Sequence, residues 1–356
     1  GIFFFILAEI IPLFKGAEVE PLDPVTTGIE NPVLMGSDEW TELPFLVSAE
    51  GELTFIDLNT NNPAKTEPVP LPSDGHIQSA AYIQEEQGIA LGLDNGFYLF
   101  GKIHYRPEFQ ADGTRTIQAT ADWDAPATFL AKDGPISDIS LYTSPERKTV
   151  AGIVTDADAK RVQVNSYIQK RSLFGASGFK IDNQWDLTDR ISGVPVRILV
   201  GANAAALVVL NSEDKVHYFK LEDGEWELDQ VFKPFPNDSA MVTSMDFIKG
   251  NVSLSFTNSA GNHVIYSLYR SDEAGRRIFG QTKTFETFPG GAEYFARSAR
   301  NKALLIGNTD RISLRYSTTA DVRWESDLPT PLEKILISGK FDQILGVDAN
   351  GTLHRY

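Results

Sequence analysis

Seven times along the chain an apolar run, a short gap, a second apolar run, a tight polar turn and an alternating segment recur in that order, usually followed by a fourth segment. The turn between the second and third runs sets the register. It falls at Glu50-Gly51, Asn95-Gly96, Ala159-Lys160, Glu213-Asp214, Ala260-Gly261, Thr309-Asp310 and Asn350-Gly351. These marks stand roughly 40 to 64 residues apart, about 50 on average, which is the period of a four-stranded propeller blade. The second runs, such as Leu207-Val208-Val209-Leu210 and Ala303-Leu304-Leu305-Ile306, are continuously apolar and suit strands covered on both faces. Third runs such as Val216-His217-Tyr218-Phe219 alternate instead, and Trp123, Trp185, Trp226 and Trp324 fall in fourth, outermost strands. The pattern predicts an all-β, seven-bladed, WD40-like propeller.

The last repeat stops at Tyr356, before any fourth strand. An open ring would leave two exposed sheet edges, so the missing strand is expected from the other end of the chain. Residues 17–22 (AEVEPL) resemble the outer segment TEPVPL at 66–71 and are assigned here to close the seventh blade, just before an opening strand near Val33-Leu34-Met35. The propeller then spans 16–356. Two insertions between third and fourth strands depart from the rhythm, at Arg106 to Arg115 and at Lys170 to Lys180. The second, with Lys170, Arg171, Leu173, Phe174 and Phe179, joins basic residues to aromatic ones. It is the candidate partner-contact loop, with a solvated hairpin tip as the plainer reading.

Ahead of the repeats, residues 1–15 are of a different kind. Ile2, Phe3, Phe4, Phe5, Ile6, Leu7, Ile10, Ile11, Leu13 and Phe14 make a run interrupted only by Ala8, Glu9 and Pro12. It is shorter than the roughly 20 residues that cross a bilayer. A buried element of the domain and the remnant of a signal peptide are two readings. The third, the outer end of a membrane helix cut on its N-terminal side, accounts best for Glu9 and Pro12 near an interface and Lys15 beyond it. No later stretch is apolar enough to span.

Of 356 residues, 32 are basic and 48 acidic, a net charge of −16, which disfavours nucleic acid and anionic membrane surfaces as partners of the propeller. Cysteine is absent, so disulfides and thiolate chemistry are excluded. The five histidines (His76, His104, His217, His263 and His354) are dispersed over different repeats, and no metal or cofactor is expected. Asp156 and Asp158 belong to a hairpin turn rather than a calcium loop, and neither GxSxG nor a P-loop occurs. Polar residues of first strands (Asp138, Arg197, Asp246, Glu293 and Glu333) would lie along a central channel, where a propeller hydrolase would carry its acids; no catalytic set is assigned among them.

The opening string FFFILAEIIPLFKGAEVE, through Phe4, Phe5, Ile11, Pro12, Leu13, Phe14, Lys15 and Ala17, resembles the end of the first transmembrane helix of long-form phosphate ABC importer permeases of the PstC type. The match covers about 18 residues, and the rest agrees only in kind. The resemblance implies a bacterial inner-membrane protein whose propeller faces the periplasm, with further helices after Tyr356. It implies an interaction or regulatory role, with contacts to other transporter subunits or a periplasmic substrate-binding protein. A stand-alone envelope propeller scaffold is the alternative, and a propeller hydrolase the third.

Overall fold

The computed structural model describes residues 19–170, 178–249, 252–299, 302–339 and 343–356. These form seven antiparallel sheets arranged as the blades of a propeller. Blade one runs from Pro32–Gly36 to Asn62–Pro68, and blades three to six follow in the same four-strand order, ending with Val322–Asp327. In blade two the third strand, Phe97–Phe109, pairs with two outer pieces, Arg115–Trp123 and Ala127–Thr128. Every residue of the second strands Phe45–Ser48, Gly88–Leu93, Ala206–Asn211, Ser253–Asn258, Ala303–Gly307 and Ile344–Val347 is buried, as their unbroken apolar runs require. Neighbouring blades pack face to face. Phe45, Leu53 and Phe55 of blade one share a core with Ile89, Leu91 and Leu99 of blade two, each large side chain contributing about 1.5–3 kcal/mol by burial.

The ring closes as expected, with a shifted strand. Blade seven consists of Lys334–Ile337, Ile344–Val347 and Thr352–Arg355, completed by Leu22–Thr26. Leu22 lies opposite Arg355, Val25 opposite Leu353 and Thr26 opposite Thr352. The expected strand at 17–22 therefore shares only Leu22 with the real one. The reason is burial and register: Val25 is 1% exposed and packs with Leu345, Val347 and Leu353, whereas the template at 66–71 overlaps its own outer strand, Asn62–Pro68, by only three residues and runs on into the loop beyond it. Just past the strand, the Thr27 amide donates to the Gly351 carbonyl at 2.9 Å, and the Thr27 hydroxyl donates to it at 2.6 Å.

Two further expectations are corrected. In blade three the turn lies at Ala157-Asp158, both with positive φ (46° and 67°), not at Ala159-Lys160, which already belong to the third strand Ala159–Lys170. The insertion at 106–115 is largely ladder: Arg106 to Phe109 pair with Gln118 to Arg115, so only a short tip is loop. It leans on blade one, where the Tyr105 hydroxyl donates to the Leu43 carbonyl at 2.8 Å and the Arg115 guanidinium pairs with Glu42 over the Trp40 ring.

The turn glycines are needed twice over. Gly96, Gly261 and Gly351 have φ of +84°, +87° and +76°, and a Cβ on them would lie 2.0, 1.9 and 2.0 Å from a carbonyl oxygen of the loop before a blade's first strand. A further device recurs at the end of the second strands. Asn211, Asn258, Asn308 and Asp348 each accept two amide hydrogen bonds, at 2.9–3.2 Å, from the turn that follows.

Candidate functional site: the channel mouth and the face around it

First strands run along the channel, second strands return, third strands run parallel to the first, and outer strands return again. The loops from first to second strand and from third to outer strand therefore share one face. Leu22, opposite Arg355 at the end of a third strand, begins its outer strand on that same face. Arg355 reinforces the junction by donating to the Asp23 carbonyl at 3.0 Å. The hairpin tip of blade two, and in blade three the strand ends Lys170 and Gly178, lie on this Leu22 face too, because both join a third to an outer strand.

On the same side the channel widens to a cavity of about 590 Å³, lined by the first strands of blades two to five, by Arg297 and Ala299 of blade six and by Leu336 of blade seven. Among the first-strand candidates, Asp138, Arg197 and Asp246 line it. Glu293 and Glu333 do not: each precedes its strand and spends its amide on the neighbouring second strand, donating to Gly307 and Val347. Arg297 and Glu85 also line the cavity and were not singled out from the sequence. Arg297 Nη1 stands 3.4 Å from Glu85 Oε1, and its Nε stands 3.6 Å from Asp246 Oδ2.

Asp138 holds the neighbouring blade in place. Its carboxylate accepts the Ile198 amide at 2.8 Å, while Ser140 Oγ accepts the Val200 amide at 2.9 Å. Adjacent first strands do not pair as a sheet, so amides facing the channel take side-chain acceptors instead. Burial pushes the Asp138 carboxyl up to about 6, against the pull of the Ile198 amide and the Arg197 charge. Burial also raises Asp246, with Arg297 opposing it. Arg197 makes no ion pair within 4.0 Å among the described residues.

This arrangement provides charge complementarity between Arg297, Glu85 and Asp246. The histidines serve elsewhere. His217 Nε2 lies 2.9 Å from Ser192 Oγ, His263 Nε2 lies 2.8 Å from Ser255 Oγ, and His354 Nε2 lies 2.9 Å from Asp348 Oδ2. Among the described residues, no group of three histidine or acidic side chains is placed to hold a metal ion.

The apolar run from Ile2 to Phe14 and the contact-loop residues Arg171, Leu173 and Phe174 lie outside the described residues. Among the described residues no helix is long and apolar enough to cross a membrane. Lys170 is exposed at the end of its strand, opposite Gly178. Phe179, the one aromatic of that loop among the described residues, is half-buried: Lys148 Nζ sits 4.4 Å from its ring centre while pairing with Asp124 at 2.8 Å.

No family model matches the chain, and no curated protein matches it either. Solved structures do. The chain is similar to the β-propeller domain of Myceliophteria thermophila Cps50 (Swd1), with a TM-score of 0.61 at 9% identity, over 94% of this chain and 98% of that one. It is likewise similar to Chaetomium thermophilum Raptor, with a TM-score of 0.63 at 10% identity; the match covers 98% of this chain and 30% of Raptor. At such identities the likeness speaks for the fold alone. The class is an all-β, seven-bladed, WD40-like propeller.

Proposed function

We propose that this propeller is a protein-docking domain of a bacterial inner-membrane phosphate importer permease, held by the apolar segment before Val19 and facing the periplasm. Its partners are another transporter subunit or the periplasmic substrate-binding protein. The observation that carries the reading is the pairing of Leu22 with Arg355: the strand that enters the propeller and the strand that leaves it are adjacent, with Leu22 and Arg355 at one face. A domain placed between two successive membrane helices needs that arrangement, since both connections must return to the same bilayer. The opening string FFFILAEIIPLFK supplies the membrane side of the argument. The acidic balance of −16 agrees with a docking role rather than with a reservoir for phosphate, which it would repel.

The test is protease accessibility of the gene product in its own membrane, together with phosphate uptake. Proteinase K added to spheroplasts should digest the propeller, and removing residues 19–356 should lower phosphate uptake. Protection until the inner membrane is lysed, or uptake unchanged by the removal, would overturn the proposal.

A further inference from the structure

On the Leu22 face, between blades three and four, a cleft of about 310 Å³ opens. Trp185 and Trp226 line it, packed edge to face with ring centres 6.2 Å apart. Their indole N–H groups differ in one respect. Trp185 Nε1 donates to the Gly224 carbonyl at 3.2 Å, whereas Trp226 Nε1 is buried without a hydrogen-bond partner. Ser166, also in the lining, carries a buried Oγ that lacks a partner as well. Trp226 is 1% exposed and Ser166 7%. Such groups are costly to leave unmet, about 1–3 kcal/mol each. An indole N–H can only donate, so what it lacks is an acceptor such as a peptide carbonyl.

The polar rim tells the same story. Asp182 is the extra residue of a bulge: Ser166 pairs with Asn183 and Tyr167 with Ile181. A bulge brings two successive side chains toward one side, and both Asp182 and Asn183 line the cleft. Blade four has an acid at the equivalent bulge, Asp229, between the partners of Tyr218 and Phe219. There it is bridged by Lys220 at 3.2 Å and Arg276 at 2.5 Å. Asp182 has no ion pair among the described residues, and neither does Arg147, although both line the same cleft. Two opposite charges flanking an aromatic floor without pairing suit a ligand that carries both signs about an apolar centre.

We infer that this cleft binds an extended peptide segment of a partner protein. An apolar side chain sits against the tryptophan pair, an acidic neighbour meets Arg147, a basic neighbour meets Asp182, and a backbone carbonyl is offered to Trp226 Nε1. The inference deepens the docking role and rests on it for where the peptide comes from. Its test uses the purified chain, so it fails or succeeds independently of membrane location.

The five tryptophans give five indole N–H signals in a nitrogen-15 tryptophan-labelled sample of the 356-residue chain in mild detergent. Trp226→Phe assigns the signal of interest. The probes are the capped peptides acetyl-Glu-Leu-Lys-amide, acetyl-Lys-Leu-Glu-amide and acetyl-Gln-Leu-Gln-amide. One charged peptide should move the Trp226 signal downfield, and the neutral one should bind about tenfold more weakly, in keeping with charged hydrogen bonds. Arg147→Glu should abolish that preference while leaving the Trp40, Trp123 and Trp324 signals in place. No movement of the Trp226 signal at millimolar charged peptide, equal binding of the neutral peptide, or an unchanged preference in Arg147→Glu would each overturn the assignment.

Discussion

Arg297 of blade six reaches Glu85 of blade two across the mouth of the channel, 3.4 Å from nitrogen to oxygen, while its Nε faces Asp246 of blade five at 3.6 Å. One guanidinium thus ties three blades that share no sheet. Arg297→Ala should leave the half-buried Asp246 carboxylate without its counter-charge, costing about 1 kcal/mol at pH 7.5. Burial already holds the Asp246 carboxyl above its ordinary value, and loss of the opposing Arg297 charge pushes it higher. The cost is therefore present where Asp246 is ionised and fades as falling pH protonates it. Denaturant titration at pH 7.5 and 4.5 measures it. Equal losses at both pH values would contradict the role, and Arg297→Ala with Asp246→Asn should recover most of the stability.

Asp138 gives a pH profile of known sign. Its carboxyl is raised to about 6 in the folded chain. A raised acid favours the fold below the unfolded value near 4 and loses that contribution as pH rises through the folded value. Asp138→Asn keeps an oxygen for the Ile198 amide and removes the charge. The variant should melt at or above the parent temperature at pH 8, by about 1 kcal/mol, and lose that advantage at pH 4. A variant less stable at pH 8 than at pH 4, relative to the parent, would show that the carboxylate charge itself is required.

Deeper in the molecule, Arg315 is fully buried, with no carboxylate within ion-pair distance among the described residues. Its Nη1 faces His263 Nδ1 at 3.4 Å, its Nε donates to Ser313 Oγ at 3.1 Å, and its Nη2 is unpartnered. Because a guanidinium only donates, His263 Nδ1 is the acceptor and the ring proton sits on Nε2, toward Ser255. Burial first, and the Arg315 charge second, hold His263 well below its ordinary value. Stability from the neutral ring is complete above about pH 6.5 and falls as pH drops below it, where the unfolded chain takes up the proton more readily. Arg315→Met should be neutral or stabilising by about 1–3 kcal/mol, since an uncompensated buried charge is replaced by a similar apolar volume. It should also soften the acid transition. A loss of stability at pH 7 would mean that the cation contacts with Phe285 and Phe288 outweigh its burial.

Much of this architecture is written locally. Continuous runs such as Leu207 to Leu210 can only be second strands, and Asn-Gly turns at 95–96 and 350–351 set the blade phase. The four outer tryptophans also fall where the repeat puts them. The closing strand was found only approximately, because an outer strand exposes most of its residues and its register hangs on Val25 alone. The channel was half legible. Asp138 and Asp246 sit within first strands, but Glu85 lies in the loop after one, and nothing local ties it to Arg297, 212 positions later. The tryptophan cleft depends on two blades meeting and on a bulge at Asp182, neither of which a linear pattern displays. The repeated Asn211, Asn258, Asn308 and Asp348 did carry a signal, a short polar residue closing or just following four of the second strands, visible once the repeats are aligned.

The account depends most on the seventh blade being completed by Leu22–Thr26, since that strand brings the first and last strands of the propeller to one face. The chain has no cysteine, so Thr26→Cys with Thr352→Cys introduces a single possible disulfide between residues that lie directly opposite. Opposed strand residues fall within the roughly 4.4–6.8 Å between Cα atoms that a disulfide spans. Mild oxidation should consume both thiols within one molecule and raise the melting temperature, because the bond ties nearly the whole chain into a loop. Two thiols that stay free under oxidation, or a disulfide that leaves the melting temperature unchanged, would contradict the closure and the shared face built on it.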